Sequence, residues 1–384
     1  IGEKFDKEEF KLTLQKGHVD SITLFSKCHH GYSYHPTKSN EMHPHLSFDL
    51  LGEQLKACKE IGVNAPVYIS AGLDEKDANL HPEWLYRNKD ESLSWGINFI
   101  EEAAFHLLCF NTGYMDKLIA QIEEVMVLYN PCGIFLDIAD EKPCYCAKCR
   151  NDMIKSGLNP LDESDVKLYA VKVFADYTSK VEKAIRKYNK ETTIFHNAGH
   201  IHRGRKDLLK NHTHLELESL PTGGWGYDHF PHSASFARTT GKEFLGMTGK
   251  FHTMWGEFGG FKHPNALIYE TALSLALGGK CSIGDQLHPN GKLDLSTYNL
   301  IGKAYNQVEE KEKWCSNGEN IADIAMISYE GYANLNGLKN KKAIDTGLSR
   351  ILLEGKYLFN SIDPDDDFGG YKLIVFPDGI RFDE

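Results

Sequence analysis

A parallel α/β barrel followed by a smaller α/β unit is the fold class this sequence predicts, on three observations. Short apolar, strand-forming runs begin near residues 21, 66, 133, 192, 214, 243 and 281, with helical periodicity between most of them. The run Gly133-Ile-Phe-Leu136 is closed by a carboxylate, Asp137, as expected where a barrel keeps its chemistry at strand C-termini. After Cys315 the strand–helix rhythm restarts. Seven strands are one short of a closed (β/α)8 TIM barrel, so the first strand is expected to be missing or differently paired. Residues 1–316 are assigned to the barrel and 317–384 to a partial flavodoxin-like domain.

Taken in order, residues 6–16 read as a helix and Asp20–Ser26 as a strand leading into Lys27-Cys28-His29-His30-Gly31-Tyr32. Residues 48–62 are helical and stop at Gly62, and Ala65–Ser70 is the next strand. Residues 114–129 form an amphipathic helix before the central strand. Residues 165–188 form a long helix with basic residues near its C-terminus, where the helix dipole favours them. Thr192–Phe195 ends in His196-Asn197. His214–Ser219 alternates strictly, which puts Glu216 and Glu218 on one face and Leu215 and Leu217 on the other. That acidic face is either a barrel lumen or a solvated edge. Strands follow at 243–248 and 281–285, with helices at 266–278 and 300–313. The C-terminal part reads as strand 323–328, helix 347–362 and strand 372–376.

Composition narrows the function. The chain has 384 residues, 41% hydrophobic and 25% charged, enough to bury a sizeable core. A net charge of -11 argues against a nucleic-acid surface, which needs clustered Lys and Arg. No apolar run reaches membrane-spanning length, and no signal peptide is visible. Nine cysteines without a regular framework fit a reducing compartment, so a cytoplasmic location is expected.

Strand-end acids beside aromatic loops point to carbohydrate, because sugar faces stack on aromatic rings while acids bond hydroxyls. Retaining glycoside hydrolysis needs two carboxyl groups roughly 5 Å apart, one ionised and one protonated. Asp137 is the candidate nucleophile and Glu218 the candidate acid/base. Glu216 is the next candidate acid and Glu257 the one after it. His29 and His30 are either donors to sugar hydroxyls or packed core residues. The loop Pro221–Tyr227 presents Trp225 and Tyr227, while Trp255, Glu257 and Asp285 follow later strands. Cys144-Tyr-Cys146-Ala-Lys-Cys149 has metal-ligand spacing suited to Zn²⁺. The other cysteines read as small core residues, with Cys28 near enough to the candidate site to be an alkylation target. A metal-dependent hydrolase is disfavoured, because the sequence is read as holding no His-x-His or His/Asp cluster with open-site spacing.

Lys27–Tyr32 resembles the Lys-His-His-Asp-Gly-Phe motif of α-L-fucosidases (family 29), Gly133–Asp137 their nucleophile strand, and Trp225-Gly-Tyr227 a segment after their acidic loop. The likeness extends to the fucosidase-like glycoside hydrolases of family 151, through KCHHGYSYHP, HLELESLPTGGWGY, MWGEFGG and SIGDQLHPNG, over roughly residues 4 to 314. It implies a retaining mechanism on terminal α-L-fucosides, with sugar contacts from His29, His30, Trp225 and Tyr227. A β-galactosidase-type trimerisation domain would follow the barrel, making the protein a homotrimer. The Asp of the His-His-Asp-Gly motif and the first-strand histidine have no counterpart here. Cys109 together with Cys144, Cys146 and Cys149 is similar to the structural zinc site of family 42 β-galactosidases. A β-galactosidase-like glycosidase and a non-catalytic carbohydrate-binding barrel are therefore the alternatives.

Overall fold

The computed structural model describes residues 1–93, 95–98, 104–316 and 318–381. The expected boundary residue 317 lies outside them. Contacts divide the chain into two units. One comprises Ile1–Lys11, Asp20–Ala198 and Pro289–Gly291; the other comprises Leu12–Val19, Gly199–His288 and Lys292–Glu384.

Helix α1 (Lys7–Lys16) opens the chain. The first unit is built on strands β1 (Leu24–Lys27), β2 (Val67–Ser70), β5 (Gly133–Asp137) and β6 (Thr193–Asn197), all parallel in the order β1-β2-β5-β6. A short antiparallel pair, β3 (Trp95–Asn98) and β4 (Ala104–His106), was not anticipated from the sequence. Helices α2 (Leu50–Glu60), α3 (Glu75–Leu80), α4 (Tyr114–Tyr129), α5 (Ala147–Lys155) and α6 (Glu163–Arg186) connect the strands. Ile134 and Leu136 are almost fully buried, and such side chains contribute about 1.5–3 kcal/mol each on burial. On the opposite face of the strands, pairing register aligns Phe25, Tyr68, Phe135 and Phe195. Successive ring centroids lie 3.9, 5.5 and 5.4 Å apart, an aromatic row crossing all four strands.

The second unit holds a three-stranded parallel sheet of β7 (Leu215–Glu218), β8 (Phe244–Gly249) and β9 (Lys280–Gly284). Around it run α7 (Lys206–Leu209), α8 (His229–Ala237), α9 (Pro264–Ala276) and α10 (Leu295–Cys315). Leu215 and Leu217 pack with Phe230, Ala234, Ala237 and Phe244, which leaves Glu216 and Glu218 on the other face. The expected alternation is therefore present. A further parallel sheet has β10 (Ile324–Ile327) between β11 (Phe359–Ile362) and β12 (Leu373–Val375), accompanied by α11 (Tyr329–Leu335) and α12 (Lys342–Glu354). The helix expected over 347–362 is corrected here. It stops at Glu354, Lys356 takes φ 60°, and Phe359–Ile362 becomes a strand beside β10. Residues up to Glu354 are helical, while the apolar residues of Phe359–Ile362 belong to a parallel ladder.

No helix among the described residues is long and apolar enough to cross a membrane. The α/β class with parallel strands agrees with expectation, and the seven barrel-type strands start within three residues of the predicted positions.

One buried ion pair anchors the end of β1. Lys27 Nζ donates to Asp74 Oδ2 at 2.9 Å, with both side chains at 2% exposure or less. Asp74 also caps α3 by accepting from the Asp77 amide. Gly31 passes so close that a Cβ there would lie 2.1 Å from Asp74 Oδ1. Removing one member of such a pair strands the other charge, so Asp74→Ala is expected to cost about 3–5 kcal/mol. Denaturant unfolding measures this, and a loss below about 1 kcal/mol would contradict the assigned role.

Candidate active site

Asp137 stands at the end of β5 with its carboxylate held from both neighbouring strands. Tyr68 of β2 donates to Oδ2 at 2.5 Å, Asn197 of β6 donates to Oδ1 at 2.8 Å, and the Ile138 amide donates to Oδ1 at 3.0 Å. Ser70, Asp137 and Asn197 form one row by register, directly beyond the aromatic row. Three donors match an acceptor-only carboxylate and fix its orientation. The side chain is 13% exposed, so it reaches solvent without being a surface acid. Ile138 adopts φ 56°, a costly conformation for a β-branched residue. Its carbonyl lies where a Cβ on residue 72 would come within 2.0 Å, which only Gly72 permits.

His29 lies beside this acid, with Nε2 3.8 Å from Asp137 Oδ2. Burial lowers the His29 pKa, while the Asp137 charge opposes that shift. The Ser70 hydroxyl donates to the Leu73 carbonyl at 2.7 Å, so its oxygen accepts from His29 Nδ1–H, also at 2.7 Å. In the neutral ring Nε2 is therefore an acceptor. Two acceptors 3.8 Å apart are too distant for a direct bond and frame a place for a hydroxyl donor. His30 points elsewhere, with Nδ1 3.4 Å from the Cys28 sulfur, whose other partner is the Tyr34 hydroxyl at 2.9 Å. Burial opposes ionisation of Cys28, but the His30 and Tyr34 hydrogen bonds outweigh it and lower the thiol pKa; His30 is raised in return. The loop is set by amides of Glu75 and Lys76 donating to the His29 and His30 carbonyls.

In the second unit, Glu218 ends β7, and Trp255 Nε1 donates to its Oε1 at 2.7 Å. Trp255 in turn sits against Gly284, where a Cβ would lie 2.0 Å from the ring. Glu216, one step back on the same face, pairs with His214 at 3.0 Å. Trp225 meets His229 edge-on, and Tyr227 donates to Glu270 Oε1 at 3.2 Å while remaining 43% exposed. Glu270 itself is buried and fixed by Lys262 at 2.7 Å and Thr248 at 2.6 Å. Glu257 is half-buried and accepts from the Thr253 amide and hydroxyl. Asp285, just past β9, is pushed up to about 6 by burial, against the Gln286 amide and the Lys250 charge. Asp137 and His29 are thus neighbours in one unit, and Glu218 and Trp255 in the other. Tyr68, Ser70, Asn197 and Glu270 were missed from the sequence. Tyr68, Ser70 and Asn197 belong to strands flanking Asp137, so counting register from β5 would have pointed to them.

Cys109, Cys144, Cys146 and Cys149 are all buried, and their sulfurs lie within 4.8 Å of one another. The Cys109 and Cys149 sulfurs are 3.5 Å apart. A tetrahedral Zn²⁺ with four thiolates needs sulfurs about 3.8 Å apart, so this donor set fits a closed structural zinc. Hydrogen bonds from Cys109 and Cys144 hold the Cys146 thiol far below its usual pKa. Asn111 Nδ2 reaches Cys149 at 3.7 Å and ties the cluster to Asp152 and Tyr169. Among the remaining cysteines, Cys58 is buried as expected for a core residue, whereas Cys132 is exposed.

Parallel α/β units with acids and aromatics at strand ends resemble the arrangement of glycoside hydrolases. Comparison with known proteins sharpens this. Residues 6–138 match the family model described as hypothetical glycosyl hydrolase 6. Over its whole length the chain is 51% identical to α-L-fucosidase isoenzyme 2 from Paenibacillus thiaminolyticus, with a TM-score of 0.95. It spans 58% of that enzyme's chain. It also superposes on a GH42 β-galactosidase from G. stearothermophilus with a TM-score of 0.71 at 12% identity, covering 96% of this chain and 64% of that one, a likeness of fold. A β-galactosidase from Bacillus circulans sp. alkalophilus matches equally well at 10% identity, over 96% of this chain and 64% of that one. No curated protein sequence matches. The resemblance to α-L-fucosidase-like glycoside hydrolases thus extends over the full chain.

Two measurements check the site chemistry. Protein dialysed against a mild chelator is expected to keep about one zinc per chain by native mass spectrometry, and Cys146→Ser or Cys149→Ser to lose it with a lower Tm. Retained zinc in both variants would exclude the cluster as ligands. Asp285 binds its proton more tightly folded than unfolded, so ionising it costs stability as pH rises from about 4 to about 6. Asp285→Asn should therefore exceed the wild type in Tm at pH 7.5, with the difference vanishing near pH 4. A pH-independent difference would contradict this.

Proposed function

We propose that this chain carries a retaining exo-glycosidase acting on terminal α-L-fucosides, with Asp137 as nucleophile and Glu218 as acid/base. The observation that carries it is the Asp137 carboxylate, held by Tyr68, Asn197 and the Ile138 amide with the His29 acceptor beside it. The 51% identity to an α-L-fucosidase supports fucose as the sugar. In this mechanism Asp137 attacks the anomeric carbon as Glu218 protonates the departing oxygen; Glu218 then takes a proton from the water that releases the sugar. His29, His30, Trp225 and Tyr227 would contact the sugar, with Glu216, Trp255, Glu257 and Asp285 as further contacts. Trp255 would orient Glu218 by the bond it already makes. The residues from 317 onward would form the start of a trimerisation domain, and a molar mass measured by light scattering tests for a trimer.

The four-cysteine cluster favours a second activity, β-galactoside hydrolysis, which a panel of nitrophenyl glycosides separates from the first. Asp137→Asn is expected to lower turnover of nitrophenyl α-L-fucoside by roughly a thousandfold or more with the fold intact, and azide to restore part of it in Asp137→Gly. Glu218→Gln should spare this activated leaving group relative to a disaccharide, whose poorer leaving group needs protonation. Unchanged turnover in Asp137→Asn would remove the proposal. Tight fucose binding without turnover in the wild type would make the chain a binding module.

A further inference from the structure

We propose that His200, His202 and Glu330 form a divalent-cation site that takes Zn²⁺ in preference to Mg²⁺ or Ca²⁺. It is separate from the four cysteines and lies wholly within the second unit. The expectation that no His-x-His spacing is present is corrected by His200-Ile201-His202, a loop segment whose third ligand comes from 128 residues further on.

The three side chains each offer one ligand atom, all within 4.8 Å of one another. His200 Nε2 lies 2.8 Å from Glu330 Oε1, and His202 Nδ1 lies 3.7 Å from the same oxygen. Ile201 packs into the apolar cluster of Leu215, Leu217 and Phe230, and the two flanking imidazoles meet edge-on at 5.2 Å. Glu330 is the second residue of α11, and its side chain is only 6% exposed. The imidazoles are 30% and 33% exposed, which leaves an approach for an ion and for completing water ligands.

The scaffold is rigid before any ion arrives. Gly204 (φ 70°) brings the loop so close to α11 that a Cβ would lie 2.7 Å from the Gly331 carbonyl. The Gly204 amide donates to Asp363, and Asn334 donates to the Arg203 carbonyl, each at 2.8 Å. Arg203 Nη1 holds Glu330 Oε2 at 2.8 Å, fixing a carboxylate whose two oxygens lie 2.8 and 3.0 Å from His200 Nε2. Two imidazoles and one carboxylate are a borderline donor set that suits zinc and not the hard cations, which prefer all-oxygen shells. With His200 Nε2 at hydrogen-bond distance from Glu330 Oε1, an ion entering between them would take the imidazole tautomer that carries its proton on Nδ1, leaving the Nε2 lone pair to ligate. The Arg203 charge moderates affinity, which makes this zinc the exchangeable one.

The test uses the full chain equilibrated with excess Zn²⁺ and then passed through a mild chelator, with metal counted at each stage. One zinc more than the chelator-resistant amount is expected in the loaded wild type, and none extra in His202→Ala. Titration should show binding weakened at least about tenfold in His202→Ala or His200→Ala. Loading with Co²⁺ adds a second readout, because ions held by nitrogen and oxygen lack the near-ultraviolet thiolate absorption of a cysteine site. Far-ultraviolet circular dichroism checks folding, and His202→Gln replaces any variant that fails it. A wild-type Kd above about 1 mM, or an extra zinc that persists in the His202 variants, would overturn the site.

Discussion

A carboxylate at the end of a buried strand, gripped by donors from the strands on both sides, is the constraint on which the first unit depends. Parallel pairing of β2, β5 and β6 puts Ser70, Asp137 and Asn197 in one row. Only with that register do Tyr68 and Asn197 reach the two carboxylate oxygens. A slip of one residue would turn Asp137 to the opposite face and bury it among Ile134 and Leu136 without partners. The aromatic row beneath makes such a slip expensive, since Phe135 would lose its ring contacts with Tyr68 and Phe195 at once. The strain at Ile138 and the close pass of Gly72 are consistent with a site whose surroundings over-determine it.

The second unit solves a related problem with different parts. β7 turns its leucines to the helices and its glutamates the other way, and Trp255 then fixes Glu218 through one short hydrogen bond. Tyr227 is tied to a buried Glu270–Lys262–Thr248 group, which restrains an otherwise glycine-rich loop. Buried charge is costly unless paired, and Glu270 has both a cation, Lys262, and a hydroxyl donor, Thr248, at close range. Lys27 with Asp74 does the same for the His29–His30 loop.

Much of this was legible in the sequence because period and composition carry it. Strand starts, the terminal Asp137, the alternation at 214–219 and the close spacing of Cys144, Cys146 and Cys149 are all local signals. What escaped required register or distance. Tyr68 and Asn197 look like ordinary strand residues until their neighbours are known. His200 and His202 carry a recognisable spacing, yet their third partner, Glu330, is supplied by a helix absent from the local pattern. The stretch 347–362 failed for another reason: its apolar residues suit helix or strand equally, and only pairing of Phe359–Ile362 with β10 decides between them.

The claim that Asp137 is the nucleophile is tested most directly by trapping the covalent intermediate. A 2-deoxy-2-fluoro-α-L-fucosyl fluoride slows release of the sugar more than its attachment, so the labelled protein can be digested and its peptides weighed. The fluorosugar is expected on the peptide containing Gly133–Asp137, with fragmentation placing it on Asp137. Attachment to another carboxylate, or steady turnover with no labelled peptide, would contradict it.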